Sequence, residues 1–164
     1  MAQSILHMYF NFLRKIDQLS YIAVCASMGL MAFTVSMQVV LRYFFSHSMD
    51  SADELSRLFF VWTIFLAIPH GLKYGSHVGI DFLFDKFSLS IKKVLTRVFS
   101  LAIILLLIIV LYTSSKIAYE KWDELMPTLN FSASFYYVAI IICVFHCILH
   151  LIPIFQKGAI VFKN

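Results

Sequence analysis

YIAVCASMGLMAFTVSMQVVL, residues 21–41, runs for 21 residues without an Asp, Glu, Lys or Arg. The hydrocarbon core of a bilayer is about 30 Å thick and takes roughly 17–25 helical residues to cross. Two further runs behave the same way, 98–115 with 18 residues and 131–156 with 26. A fourth, 58–72, has 15 residues between Arg57 and Lys73. Those two long side chains can carry their charges to opposite interfaces and let the shorter run span. The 164-residue chain therefore reads as an all-α integral membrane protein made of a single membrane domain, 1–164. Spans are expected at about 19–43, 54–74, 92–116 and 131–155. Short connections make an up-down arrangement of the four helices the expectation.

The bulk composition leaves little room for anything else. Hydrophobic residues make up 61% of the chain, charged residues 13%, and the mean hydropathy is +0.86. A soluble domain carries about 25% charged residues, so no separate soluble domain is expected. The net charge of +4 is spread thinly between apolar runs, which argues against a nucleic-acid partner. Cys25, Cys143 and Cys147 all fall within spans, so no disulfide framework is expected in a loop. The first apolar run is too long for the core of a cleaved signal peptide.

Basic residues orient the chain. Arg14, Lys15, Lys73, Lys86, Lys92, Lys93, Arg97, Lys157 and Lys163 fall on one side, and Arg42, Arg57, Lys116 and Lys121 on the other. The richer side is cytoplasmic by the positive-inside rule, which puts both termini inside.

Two segments outside the spans are amphipathic. In 4–18, Ile5, Met8, Tyr9, Phe12 and Ile16 recur at helical spacing, with Arg14, Lys15, Asp17 and Gln18 between them, and Leu19 continues the stripe. In 79–88, Ile80, Leu83, Phe84 and Phe87 oppose Asp81, Asp85 and Lys86. Both read as short interfacial helices on the cytoplasmic surface. Ser51 with Glu54 three residues on has the spacing of a capping box at the start of the second span. Pro69 is expected to bend that helix near its end. The third helix is expected to run to about residue 125 and stop at Pro127. Ser88 or Ser90 can cap the third helix, and Asn130 or Ser132 the fourth.

Candidate chemistry is sparse. Cys143, His146, Cys147 and His150 lie at offsets of 0, 3, 4 and 7, on one helical face. Thiolates and imidazoles bind zinc, but one straight helix does not wrap four ligands around an ion. Packing between helices is the expected role, and no metal site or cofactor is expected. His70 could pair with His146 or His150 around a haem, because haem iron takes axial histidine. That makes a haem-binding four-helix anchor of a redox enzyme the alternative from another class. His77 and Asp81 lie four apart with no nucleophile or third group beside them, so catalysis is not expected there, and the chain is not expected to be an enzyme. No midspan charge and no internal repeat mark a translocation site. An accessory subunit fits better than a free-standing carrier.

Three motifs in order carry a family resemblance: QVVLRY at 38–43, ELSRLFFVW at 54–62 and GSHVGID at 75–81. With four spans and both termini inside, they resemble the small membrane subunit, of the DctQ type, of tripartite ATP-independent periplasmic (TRAP) transporters. The likeness covers about 37–83 by motif and the remainder by hydropathy. Gln38, Arg42, Tyr43, Glu54, Arg57, Phe60, Trp62, His77 and Asp81 are its motif or interface candidates. Of these, Glu54 is expected to pair with Arg42 or Arg57 at the outer interface, and Asp81 to anchor the interfacial helix beside His77. Pro69 and the proline-free entry at Asn130 depart from the family pattern.

The resemblance implies a multi-pass protein of the bacterial inner membrane. It implies two partners, a large polytopic membrane subunit that carries substrate and sodium and a periplasmic substrate-binding protein. The small subunit would brace the first and help dock the second. The imported solute would be an organic anion, sialic acid or a C4-dicarboxylate. No catalytic or substrate-binding residue is expected in the small subunit itself.

Overall fold

A computed structural model describes residues 2–46, 49–73 and 88–157. Four helices account for nearly all of them: α1 (Ala2–Phe45), α2 (Asp50–Lys73), α3 (Leu89–Glu120) and α4 (Ser134–Lys157). All four are long and apolar enough to cross a membrane. Residues 79–87 of the expected interfacial helix at 79–88, with His77 and Asp81, lie outside the described residues.

The helices do not close into a square. Helix α2 packs against α1 on one side and α4 on the other, and α4 packs against α3. The result is a row in the order α1, α2, α4, α3. Helix α4 supplies most of the core, with Ala139, Val144, Leu151 and Ile154 buried. The flanking helices α1 and α3 stay apolar on their outward faces, through Phe33, Val39, Leu105 and Ile109 among others. Chain alternation puts the start of α1 and the ends of α2 and α4 together, here called the terminal end; the end of α1, the start of α2 and the 121–133 connection lie at the far end.

Helix α1 is continuous from Ala2 through the segment expected at the interface and into the span. Its 44 residues rise about 66 Å at 1.5 Å each, roughly twice the hydrocarbon thickness. Nothing between 4 and 21 breaks a helix, since that stretch holds no glycine or proline. The Tyr9 hydroxyl donates to the Leu149 carbonyl at 2.6 Å, while Asp17 meets His146 and His150. Residues 9 and 17 are about 12 Å apart along α1, yet both reach one turn of α4. The first third of α1 therefore crosses α4 instead of running along it. Leu13, Asp17 and Ser20 form the buried face, while Met8, Phe12 and Leu19 of the apolar stripe remain exposed. Ser20 ties α1 to α2 by donating from Oγ to the Leu66 carbonyl at 3.0 Å.

Helix ends differ in detail from the spacing-based expectations. Helix α2 starts at Asp50, with Asp50 and Asp53 in its first turn, where carboxylates favour the helix dipole. Ser51 lies inside it, and Glu54 reaches elsewhere, so the capping box does not form. The helix continues through Pro69 to Lys73. Helix α3 ends at Glu120, before Pro127 is reached, and hydroxyls beyond it bond carbonyls at that end. Ser132 Oγ donates to the Lys121 carbonyl at 3.1 Å, and Ser134 Oγ to that of Ala118. Ser88 occupies the N-cap position of α3 without a side-chain capping bond. Ser132 Oγ accepts from the Ser134 amide at 3.1 Å, at the start of α4.

Candidate functional site

Two polar arrangements stand out, one at each end of the row. At the terminal end Asp17, on the crossing segment of α1, faces the ends of α2 and α4. Lys73 Nζ donates to Asp17 Oδ2 at 2.8 Å. His146 Nε2 and His150 Nε2 each lie 2.9 Å from Asp17 Oδ1, and 3.2 Å from one another. An ionised carboxylate only accepts, so each imidazole carries its proton on Nε2 to make these bonds. The His146 and His150 rings lie 4.9 Å apart, and His70 stands edge-on to His146 at 5.9 Å. Asp17, His146 and His150 are all buried. A carboxylate removed from water needs such partners, and one residue here draws three helices to a single point.

His146 and His150 come from the face singled out by spacing, and Cys143 and Cys147 are buried on it too. The partner that organises them, Asp17, was missed because 4–18 reads as a surface helix with Asp17 on its polar side. Its signal is modest: Leu13, Asp17 and Ser20 share a face at helical spacing. Haem does not suit this geometry. His146 and His150 both turn Nε2 to Asp17 Oδ1, so neither offers that nitrogen opposite His70 across a porphyrin.

At the far end, Glu54 holds the 121–133 connection. Its Oε2 accepts from the Thr128 amide at 2.7 Å, the Leu129 amide at 3.1 Å and the Thr128 hydroxyl. The connection folds back as a narrow hairpin. Met126 N donates to the Phe131 carbonyl at 2.9 Å, and Ala133 N to that of Glu124 at 2.8 Å. Met126 is buried inside the turn. Lys121 donates to Glu124, and that bond raises the lysine pKa above its ordinary value.

Glu54 is thus a loop clamp, and not half of an ion pair with Arg42 or Arg57 among the described residues. Two adjacent amides and a hydroxyl converging on one oxygen satisfy a carboxylate more fully than one flexible arginine. Arg57 acts on it only through space. In hydrogen exchange, Glu54→Gln should speed the Thr128 and Leu129 amides roughly tenfold, the effect of losing charge-assisted bonds. Protection equal to wild type at both amides would contradict the clamp.

The other motif residues spread along the far halves of α1 and α2. Gln38 Nε2 donates to Asp53 Oδ1 at 2.9 Å and joins the two helices. Arg42, Tyr43, Arg57 and Phe60 are exposed, and Trp62 is half-buried. A shallow cleft of about 410 Å³ between α2 and α4 is walled by Val61, Phe65, Tyr136 and Tyr137, with Lys121 and Glu124 at its rim.

Four membrane-length helices in an open row, with polar ties at both ends, define a multi-pass membrane protein. Residues 31–157 match the family described as the DctQ component of tripartite ATP-independent periplasmic transporters. The chain belongs to that family: it is a TRAP transporter small permease subunit, a protein of the inner membrane. Two proteins of Haemophilus influenzae carry the provisional name TRAP transporter small permease protein. One is 27% identical over 124 residues, which covers 76% of this chain and 74% of the relative. The other is 30% identical over 76 residues, covering 46% and 45% respectively. The family is a transporter component and not a class of enzyme.

Proposed function

We propose that this chain is the bracing subunit of a sodium-coupled importer of an organic anion. It would hold a large polytopic membrane subunit in the bilayer and help seat a periplasmic substrate-binding protein. The observation that carries the reading is the family match over residues 31–157. The open row supports it. Phe33, Val39, Leu105 and Ile109 leave apolar faces on α1 and α3 that a larger helical partner can cover. The Glu54-held connection offers a fixed surface at the far end for a soluble partner. Sialic acid and C4-dicarboxylates are the solutes the resemblance suggests; the pocket would belong to the partners.

Affinity purification of the tagged chain from its native membrane tests the reading. A single large polytopic membrane protein should accompany it in fixed ratio. Recovery with a flavoprotein or an iron–sulfur protein instead would replace the transporter with a redox assembly.

The terminal end is proposed to be cytoplasmic, on the excess of Lys and Arg there. In a background lacking Cys25, Cys143 and Cys147, single cysteines at 124–130 should react with an impermeant thiol reagent added from the periplasm. A cysteine at position 88 should not, and the reverse pattern would invert the topology.

A further inference from the structure

Asp17, His146 and His150 do more than tie three helices together. We propose that they form a binding site for one divalent transition-metal ion of the zinc class. The inference does not depend on the transport role.

The donor atoms already have the shape of a coordination face. Asp17 Oδ1 is 2.9 Å from each imidazole Nε2, and the two nitrogens are 3.2 Å apart. Ligands 2.0–2.1 Å from a tetrahedral zinc are about 3.3 Å from one another. A small shift outward would admit the ion above the triangle. Among the described residues, this is the set of His, Cys, Asp and Glu donors that gathers closely enough to hold a metal.

The donor types agree with that assignment. Histidines at i and i+4 present two nitrogens from one helical face, as helical zinc motifs do. Two imidazoles with one carboxylate suit zinc, cobalt(II) or nickel(II) and not the all-oxygen cages of calcium and magnesium. Lys73 holds the other carboxylate oxygen, Oδ2, and so orients Oδ1 as a one-oxygen ligand. His70 is the nearest further imidazole, and its buried Nε2 has no hydrogen-bond partner among the described residues. When the ion enters, each Nε2 lone pair replaces a hydrogen bond, and the imidazole proton moves to Nδ1.

The test uses the full chain in lipid nanodiscs, stripped with a chelator. Zinc is titrated by calorimetry and cobalt(II) by visible absorption. One ion should bind per chain, cobalt should show the intense d–d bands of a low-symmetry site, and zinc should raise the unfolding midpoint. Asp17→Asn and His150→Gln should weaken zinc by more than the roughly 10–100-fold that loss of an outer partner costs. Cys143→Ala should leave binding unchanged. If Asp17→Asn fails to fold, His150→Cys keeps three donors and should add a thiolate-to-cobalt charge-transfer band. Absence of stoichiometric binding in the wild type would overturn the proposal. So would zinc affinity unchanged in His150→Gln, or a cobalt spectrum unchanged in His150→Cys.

Discussion

Replacing Asp17 with asparagine lowers the thermal unfolding midpoint of the chain in nanodiscs by roughly 6–12 °C on this account. Breaking a buried charge network by removing one partner costs about 3–5 kcal/mol, and Asn still accepts one bond, so the lower end applies. About 3 kcal/mol at 2–4 °C per kcal/mol gives the range for a chain of this size. The loss has two parts. His146 and His150 can no longer both donate to a charged oxygen, and Lys73 loses the carboxylate 2.8 Å from its ammonium. The second part can be isolated. Asp17 and Lys73 share one network, so Lys73→Met in the Asp17→Asn background should cost less than the sum of the two single changes, by about 0.5–3 kcal/mol. A midpoint within 1 °C of wild type for Asp17→Asn would mean that the cluster is not under load.

The four membrane helices were legible because hydropathy over some twenty residues reports the cost of leaving a backbone in lipid, a local property. The order of neighbours was not legible. Up-down connectivity makes consecutive helices adjacent by default, yet α4 separates α2 from α3. Small buried positions such as Ala139 lie within that packing, and no periodicity encodes which helix such a face will meet. The terminal-end cluster was half legible. His146 and His150 announced themselves by offset on α4, but Asp17 sits 129 residues from His146 on a segment whose polar face looked solvated. Glu54 shows the same limit. Its local spacing suggested a cap with Ser51 or a pair with Arg57, while its actual partners, Thr128 and Leu129, lie 74 and 75 residues away. Local reading favours near partners because loop closure brings a distant segment together only in the folded protein.

The second large effect concerns transport itself. On the proposed function the chain braces its partner, and the apolar stretches of α1–α4 carry no Asp, Glu, Lys or Arg. Loss of the chain should nevertheless be close to all-or-none, because the large subunit would be left with an uncovered face and the soluble protein without part of its seat. Replacing an interface that covers apolar helix faces with lipid alone also forfeits close packing between helices. Uptake into proteoliposomes measures this directly, with labelled sialic acid and succinate as probes and an inward sodium gradient. Uptake of one probe is expected only when this chain, the large membrane subunit and the binding protein are all present, with background levels when any one is left out. Uptake by this chain alone, or undiminished uptake in vesicles that lack it, would contradict the account.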